Sequence, residues 1–319
     1  MKEARSRAGS FRLRKLSRCG NSPIISPDGD RKWEVGGTFN PGAVASDAVI
    51  HLLYRAVDGQ GTSRLGYARS LDGGTISYRS SSPVLEPSAN WEQFGCEDPR
   101  ITPLNGRFYV TYTAYSQRGT RIALASTEDF SSFRKHGIVG PDVNDKDCVL
   151  FPVLINDQVA ILHRVEGRIQ VAFFEGLESL EHPQDYWKGY LRDVEGFEVI
   201  KPRYYWETRK VGTGAPPIRT SKGWLVIYHG VSADRVYRAG ALLLDLDNPK
   251  EVIARTKEPI LQPETEFEKL GIVPNVVFPT GAVVHGGNLL VYYGGGDRVC
   301  CVASAPFDEF LEELAKESP

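Results

Sequence analysis

Apolar residues recur along the chain in short runs separated by polar or glycine-rich turns, a spacing typical of β-strands. One run, often with a tyrosine, occurs five times: LLYRA at 52–56, VTYTA at 110–114, AILHR at 160–164, VIYHG at 226–230 and LVYYG at 290–294. Strong helical periodicity appears near the end of the chain, in FDEFLEELAK at 307–316. The pattern therefore predicts an all-β protein with a short C-terminal helix.

The five runs belong to a longer repeat. A proline-marked segment precedes each run, as FNPGAV, EDPRIT, LFPVLI, GAPPIR and VFPTGA. A turn and an arginine-led segment follow each run, as RLGYA, RIALA, RIQVA, RAGAL and RVCCV. Three or four short antiparallel strands in each of five units predict a five-bladed β-propeller. The alternative is two stacked β-sandwiches, which would not require five matching units.

A propeller places the whole chain in one folded unit. We expect a single domain over residues 21–319, including the C-terminal helix, preceded by a short basic lead at 1–20. A closed ring covers both faces of every blade, because each blade packs between two neighbours. The segment PIISP at 23–27 precedes the first inner strand, so we predict that N-terminal sequence completes the last blade.

Charge and cysteine content narrow the class of function. The 319 residues include 38 basic and 40 acidic ones, so no net field attracts nucleic acid or an anionic membrane. The sequence has neither the apolar core of a signal peptide nor a run long enough to span a membrane. The five cysteines show no metal-like spacing and suit a reducing compartment. We expect a cytoplasmic protein without a metal site.

The stretch GCEDPR at 95–100 places two carboxylates directly before a predicted strand. Inner strands of a propeller end at a shared central cavity. The residue before the repeat proline differs in every unit: Asn40, Asp98, Phe151, Pro216 and Phe278. Unlike residues at equivalent positions indicate a functional site built on a symmetric scaffold. Strand alternation predicts that Glu97 and Asp98 point to opposite sides, so that at most one faces the cavity.

Eleven motifs between Phe39 and Asp297 resemble, in the same order, those of glycoside hydrolase family 130, the β-mannoside phosphorylases and related β-mannosidases. They are FNPGA, YRA, GCEDPRIT, YTAYS, KDCVLFP, HR, GTGAPPI, GWLVIYHG, YRAGALLLDLDNP, VVFPTGAV and YYGGGD. The resemblance implies a five-bladed propeller with a central sugar-binding cavity and an inverting reaction at a β-mannoside. It also implies that Asp98, the aspartate of EDPR, is the general acid.

A phosphorylase needs cations and fixed donors for phosphate in place of a second catalytic carboxylate. The phosphate-binding candidates at matching motif positions are Arg55, Lys146, Arg164, His229 and Tyr237. The sugar-binding candidates are Asn40, Asp147, His163, Lys210 and Asp297. Trp91, Trp206 and Tyr115 are candidates for an apolar platform under the leaving sugar, with core packing as the alternative for each tryptophan.

The resulting hypothesis is an inverting phosphorylase that cleaves β-linked manno-oligosaccharides and releases α-mannose 1-phosphate. Inorganic phosphate is its co-substrate, and no cofactor is expected. A β-mannosidase that uses water is the first alternative, and a non-catalytic mannoside-binding propeller is the second. The sequence leaves open the β-1,2 or β-1,4 linkage, the leaving sugar, direct or relayed proton transfer, and the oligomeric state.

Overall fold

The computed structural model describes residues 15–20, 22–181 and 183–319. Within these residues the strands form four hydrogen-bonded sheets with only short helices between them, so the predicted all-β class is confirmed. Residues 1–14 of the predicted basic lead lie outside the described residues. No helix in the described ranges is long and apolar enough to cross a membrane.

Consecutive antiparallel strands form five units, numbered here in chain order. Unit 1 contains β2 (Gly37–Ser46), β3 (Val49–Val57), β4 (Ser63–Ser70) and β5 (Ile76–Arg79). Unit 2 contains β6 (Gly95–Leu104), β7 (Arg107–Ser116), β8 (Gly119–Thr127) and β9 (Arg134–Ile138). Unit 3 contains β10 (Lys146–Leu150), β11 (Val159–Val165), β12 (Arg168–Phe174) and β13 (Glu198–Ile200).

The remaining two units follow the same plan with small differences. Unit 4 contains β14 (Lys210–Thr213), β15 (Ile218–Thr220), β16 (Gly223–Val231), β17 (Tyr237–Leu244) and β18 (Val252–Arg255). Unit 5 contains β19 (Val277–His285), β20 (Asn288–Gly295), β21 (Val299–Pro306) and, from the chain start, β1 (Ser17–Arg18). The first strand of each unit, namely β2, β6, β10, β14 or β19, is called its inner strand below.

N-terminal sequence completes unit 5, as predicted. Strand β1 pairs antiparallel with β21, with Ser17 opposite Ser304. The predicted segment PIISP contributes a single bridge, between Ile25 and Cys300. The paired strand therefore begins upstream of residue 21, within the segment that the sequence assigned to the lead.

The apolar core consists of five clusters, and each cluster joins two neighbouring units. Leu53 of unit 1 packs in one cluster with Val110 of unit 2, and Tyr54 of unit 1 packs in another with Tyr292 of unit 5. The other three clusters join units 2 and 3, units 3 and 4, and units 4 and 5. Units 1 and 2 also share one parallel bridge, between Ser63 and Gly95, which merges them into an eight-stranded sheet.

Helices occupy little of the chain. Helix α1 covers Gln184–Tyr190, α2 covers Glu266–Lys269 and α3 covers Phe307–Leu314, and short 3₁₀ turns cover Asn90–Glu92, Glu178–Leu180 and Leu191–Phe197. Helix α3 is the predicted C-terminal helix and ends at Leu314. Its residues Phe310, Leu311 and Leu314 are buried in the cluster between units 4 and 5, as expected for an amphipathic helix.

A buried glutamate anchors the loop that leads into the inner strand in four of the five units. The glutamates are Glu34, Glu92, Glu207 and Glu268, and each is 0% exposed. Each accepts a hydrogen bond from a buried tyrosine on the long strand that pairs with the inner strand, namely β3, β7, β16 or β20, and pairs with a cation of the outermost strand. A buried carboxylate requires such partners, because an unpaired charge is strongly destabilising away from water.

The distances are similar in all four groups. The tyrosine hydroxyls of Tyr54, Tyr112, Tyr228 and Tyr293 donate to the glutamates over 2.9, 2.9, 3.1 and 2.8 Å. The cations, in the same order, are Arg79, Lys135, Arg255 and Arg18. We call each set of glutamate, tyrosine and cation a clamp. The clamps have a sequence signature that the repeat search missed, an aromatic residue followed by glutamate: Trp33–Glu34, Trp91–Glu92, Trp206–Glu207 and Phe267–Glu268.

The clamp of unit 2 can be tested by Glu92→Gln, which leaves Lys135 facing a neutral group. We expect the free energy of unfolding to fall by about 3 kcal/mol at pH 7, because removing one partner of a buried ion pair leaves the other uncompensated. Lys135 lowers the pKa of Glu92 against the effect of burial. The stability that this ionisation contributes is present above the usual glutamate pKa and lost as the pH falls, so the deficit of the variant should shrink in acid.

Urea unfolding at several pH values measures both effects. The control is Lys188→Ala, which removes an exposed ion pair with Asp185 and should change stability by less than about 0.5 kcal/mol. Equal stability of Glu92→Gln and the control would show that the clamp does not hold unit 2 together.

Candidate active site

A small polar cavity lies where the inner strands begin. Its volume is about 100 Å³, and its walls come from all five inner strands and from neighbouring strands and turns. The lining residues are Asn40, Arg55, Asp98, Lys146, Asp147, Arg164, Lys210, Tyr237, Phe278 and Asp297. The structure thus brings together nine side chains that the sequence singled out for catalysis, phosphate or sugar. An adjoining pocket of about 140 Å³ shares Lys146, Arg164 and Lys210.

Four polar lining residues adopt the left-handed backbone conformation. Their φ angles are 51° at Asn40, 50° at Asp98, 60° at Asp147 and 50° at Asp297. Asn and Asp tolerate this region better than other residues with a side chain. The first three lie at register shifts of their inner strands, where one strand carries an extra residue. A bulge of this kind redirects a side chain, and here it turns each residue toward the cavity.

The bulge at Asp98 corrects the prediction that Glu97 and Asp98 point to opposite sides, although only Asp98 lines the cavity, in agreement with the expectation that at most one of them would. Arg55 contacts both carboxylates, with Nη2 2.7 Å from Oε1 of Glu97 and Nη1 3.3 Å from Oδ1 of Asp98. Glu97 also lies 3.4 Å from Nζ of Lys146. Strict alternation fails here because Glu97 precedes the extra residue. Glu97 is therefore part of the site although the sequence did not select it.

Asp98 is 4% exposed and held by groups from two units. Its Oδ1 accepts a hydrogen bond of 2.7 Å from the Asn40 amide, in addition to the contact with Arg55. Burial alone would raise the pKa of Asp98, but the positive charges of Arg55, Lys146 and Arg100 outweigh it and lower that pKa. The carboxylate is ionised at neutral pH while the cavity holds no anion.

Arg100, the last residue of EDPR, supports the cavity from behind its wall, and the sequence analysis did not select it. It is 1% exposed and donates to the carbonyl oxygens of Asp98 over 2.7 Å and Gly214 over 3.1 Å. Its Nη2 also donates to Oδ1 of Asp147 over 3.0 Å. Arg100 thus joins units 2, 3 and 4 behind the cavity wall and fixes the backbone of Asp98. Its place in the same motif as Asp98 was the available signal.

Asp147 is committed to cations rather than free to accept from a sugar. Arg100 occupies its Oδ1, and Nη1 of Arg164 lies 3.0 Å from its Oδ2. Burial opposes ionisation, but Arg164 and the other nearby cations lower the pKa of Asp147.

Lys210 carries the unbalanced positive charge of the cavity. Among the side chains described, no carboxylate lies within ion-pair distance of its ammonium group, which stands 5.2 Å from the ring centre of Tyr237. Burial, followed by the positive charges of Arg164 and Lys146, lowers the pKa of Lys210 to about 8. A depressed lysine pKa shows that the surroundings disfavour further positive charge. The position is therefore suited to an anion.

Asp297 is the corresponding unbalanced carboxylate. It follows Gly294–Gly296 in the turn between β20 and β21, and no cation lies within ion-pair distance of it in the described part of the chain. Burial raises the pKa of Asp297 to about 6, and nearby Asp98 adds to that effect while Arg55 opposes it. This carboxyl group can exchange a proton near physiological pH.

His229 does not fit its predicted role as a basic phosphate ligand. It is 0% exposed and lies behind the cavity wall, with its ring centre 4.6 Å from that of Phe278 and Nε2 3.7 Å from Oδ2 of Asp147. Burial, and then the positive charges of Arg164 and Lys210, lower the pKa of His229 to about 3. The ring is neutral at physiological pH and supports the wall.

The predicted sugar-binding role of His163 is wrong. Its Nδ1 lies 2.7 Å from Asp145 and its Nε2 lies 2.9 Å from the hydroxyl of Tyr190, so both ring nitrogens are used inside the core. The register explains the error. Lys146 is opposite Arg164 and Val149 is opposite Leu162, which makes Arg164 the equivalent of Arg55 and His163 the equivalent of Tyr54. Likewise the unit 3 equivalent of Asp98 is Asp147, and not Phe151.

Of the three candidates for an apolar platform under the leaving sugar, the two tryptophans lie elsewhere and Tyr115 remains. Trp206 is fully buried in the core between units 3 and 4. Trp91 lines a separate cleft of about 400 Å³ whose arginines, Arg118 and Arg121, are both paired with Asp142. Tyr115 is 40% exposed and packs against Phe94, which is 38% exposed.

The cavity can therefore hold an anion beside a carboxylic acid and hydroxyl-binding groups. Four cations converge on it, and three carboxylates surround them. Across the described ranges, no group of three or more His, Cys, Asp or Glu side chains could hold a metal ion. The arrangement suits acid-assisted displacement by an anion at a sugar carbon.

Comparisons with known proteins agree with this chemistry. A family model described as β-1,4-mannooligosaccharide phosphorylase, glycoside hydrolase 130, matches residues 23–316. The 1,2-β-oligomannan phosphorylase of Thermoanaerobacter sp. (strain X514) is 40% identical over 301 residues, which cover 91% of this chain and 96% of the relative. The β-1,4-mannooligosaccharide phosphorylase of Ruminococcus albus is 34% identical over 304 residues, covering 93% and 85%.

A solved structure extends the likeness to three dimensions. The β-1,2-mannobiose phosphorylase of Listeria innocua, in complex with β-1,2-mannobiose, superimposes with a TM-score of 0.80 at 27% identity. The match covers 95% of this chain and 99% of the other.

Sulfate binding can test the two unbalanced charges, because sulfate stays a dianion throughout the relevant pH range. We expect sulfate affinity to rise as the pH falls through about 6, where Asp297 takes up a proton and loses its negative charge. Affinity should fall as the pH rises through about 8, where Lys210 loses its proton. Calorimetric titration with sulfate, at pH values from below about 6 to above about 8, measures both changes in affinity.

Two variants assign each pH-dependent change in sulfate affinity to one residue. Asp297→Asn keeps a residue that tolerates the left-handed backbone and should abolish the lower step only. Lys210→Met should abolish the upper step only. A wild-type affinity that does not change with pH would contradict the charge assignment.

Proposed function

The chain belongs to glycoside hydrolase family 130, and from this premise we propose that it is an inverting mannoside phosphorylase. It cleaves β-linked manno-oligosaccharides with inorganic phosphate and releases α-mannose 1-phosphate. The observation that carries the choice of phosphate is the ammonium group of Lys210, which has no carboxylate partner within ion-pair distance among the described residues and lies close to Arg164 and Lys146. A phosphate dianion would balance this charge.

We infer that the five units close into a five-bladed propeller forming one domain, which extends the predicted range of 21–319 upstream to include strand β1. The five core clusters support this architecture, because each joins neighbouring units and one of them joins unit 5 to unit 1. Such a ring would gather the inner strands around the cavity. The free state of all five cysteines suits a reducing cytoplasm.

The proposed phosphate site consists of Arg55, Lys146, Arg164, Lys210 and Tyr237. The adjoining pocket beside Lys146, Arg164 and Lys210 provides a route by which phosphate can reach the cavity. Lys210 is moved to this group from its predicted sugar-binding role, because its unbalanced charge is better matched to an anion than to a hydroxyl group. Asn40 and Asp297 remain as the groups that bind sugar hydroxyls.

Asp98 is the proposed general acid. Phosphate oxygen attacks C1 of the mannose while the bond from C1 to the glycosidic oxygen breaks, and that oxygen takes a proton that originates on Asp98. The proton passes directly or through a mannose hydroxyl. In the cavity without an anion, Arg55 and its neighbours keep Asp98 ionised. A bound dianion offsets those cations, which raises the proton affinity of Asp98 when the acid is needed.

Hydrolysis is the second candidate, and one observation favours it. Asp297 is a carboxylate without an ion-pair partner among the described residues and has a pKa near 6, which suits a general base for water. The family also contains glycoside hydrolases that target β-1,2 mannosidic linkages, and one solved structure reported with them is 28% identical to this chain.

Phosphate dependence separates the two reactions. We expect manno-oligosaccharides with β-1,2 or β-1,4 linkages to be cleaved only when phosphate is present, with α-mannose 1-phosphate as the product. Product analysis by NMR also reports the anomeric configuration. A rate that ignores phosphate, with free mannose as the product, would establish the hydrolase instead. Binding of the sugar without product in either condition would leave a non-catalytic binding protein.

Asp98→Asn tests the general acid. Asparagine tolerates the left-handed backbone at position 98, so the variant should fold normally. We expect turnover of manno-oligosaccharides to fall about 1,000-fold, because general acid catalysis commonly contributes 100- to 10,000-fold. An aryl β-mannoside with an acidic phenol needs no protonation and should lose much less. Equal losses on both substrates would mean that Asp98 does not supply the proton.

A further inference from the structure

Unit 3 is the exception among the clamps. Its second-strand position equivalent to Tyr54 holds His163, and its outermost strand, Glu198–Ile200, contains no basic residue. In place of the loop glutamate it has Asp145, which is 1% exposed and directly precedes the inner strand β10. Asp145 contacts Nδ1 of His163 over 2.7 Å, and Nε2 of His163 contacts the hydroxyl of Tyr190 over 2.9 Å.

This buried group is connected to the backbone of the cavity cations. The second carboxylate oxygen of Asp145 accepts a hydrogen bond of 3.1 Å from the backbone N–H of Arg164. Lys146 follows Asp145 in the chain, and Lys146 and Arg164 are directly opposite each other in the β10–β11 pair. One carboxylate therefore sets both the start of the strand that carries Lys146 and the position of Arg164 on its partner strand.

Tyr190, at the end of this buried group that is farther from the cavity, is also held in place. The Tyr190 hydroxyl lies 3.0 Å from the carbonyl oxygen of Val171, and Tyr190 belongs to helix α1. His163 is 0% exposed and Tyr190 is 3% exposed, so both contacts lie inside the core. A rigid partner at each end holds the imidazole in one orientation.

We propose that Asp145, His163 and Tyr190 form a positioning network that sets Lys146 and Arg164 for phosphate. The inference rests on the proposed function. His163 and Tyr190 do not touch the substrate, and they act through Asp145 on the two cations. The clamps of the other units neutralise their carboxylate with an arginine or lysine. Unit 3 uses a histidine ring, a tyrosine hydroxyl and the Arg164 backbone instead, and its own Lys146 and Arg164 face the cavity.

Phosphate affinity separates positioning from plain structural support. In Tyr190→Phe and His163→Leu we expect KM for phosphate and the calorimetric Kd for inorganic phosphate to rise about tenfold, since small displacements of binding groups have effects of this order or more. The turnover rate at saturating phosphate should stay within about twofold of wild type. His163→Asn retains a donor near the position of Nδ1 and should recover most of the affinity.

Tyr112→Phe is the matched control, because it removes the equivalent tyrosine hydroxyl from the clamp of unit 2. It should lower the melting temperature without changing KM or Kd for phosphate. If Tyr190→Phe behaves like this control, the network is structural only and the proposal fails. If His163→Leu does not fold, Tyr190→Phe and His163→Asn still distinguish a positioning role from a purely structural one. A wild-type protein that does not bind phosphate would refute the proposed function itself.

Discussion

The neutralisation of a buried glutamate is the constraint on which the rest of the structure depends. In four units, a carboxylate without solvent exposure stands in the loop before the inner strand and is met by a tyrosine hydroxyl and a cation. Burying a charge is unfavourable unless every partner is in place, so the loop has one acceptable position relative to the second and outermost strands. The start of the inner strand is thereby fixed, and the cavity residues lie at that start. The clamps fix the positions of the loops and inner strands more than they increase the net stability of the fold.

Charge balance inside the cavity follows from that geometry. Glu97 and Asp98 share Arg55, and Asp147 is paired with Arg100 and Arg164. These pairs satisfy most of the charges with one another and leave Lys210 and Asp297 unbalanced, at pKa values near 8 and 6. In a site with little water, electrostatic interactions are stronger than in solution. A bound dianion would therefore raise the pKa of Lys210 and of the neighbouring carboxyl groups. In the proposed mechanism, this shift couples phosphate binding to the protonation of Asp98.

The sequence predicted what depends on local pattern and missed what depends on register. Alternating apolar runs predicted the strands, and the unlike residues Asn40 and Asp98 at equivalent positions predicted a site. The bulge at Asp98 was not predictable from alternation, because it depends on contacts with Arg55 and Arg100 in the folded chain. A one-residue error in aligning the second strand of unit 3 placed His163, in place of Arg164, at the position of Arg55, and adjacent strand residues face opposite sides. The aromatic–glutamate pairs were visible in the sequence, but Phe174–Glu175 and Phe197–Glu198 share the pattern without forming a clamp, so the burial of the glutamate was needed to identify the loops.

Unit 3 shows why a symmetric scaffold needs one asymmetric position to bind an anion. It supplies both Lys146 and Arg164 to the cavity, and their positive charges already lower the pKa of Lys210. A clamp of the usual kind would bring a further arginine or lysine into this unit, where it would add to that repulsion. His163 and Tyr190 provide the same geometric control without a further arginine or lysine. The departure from the repeat thus lies in the unit that supplies two of the cations proposed to bind phosphate.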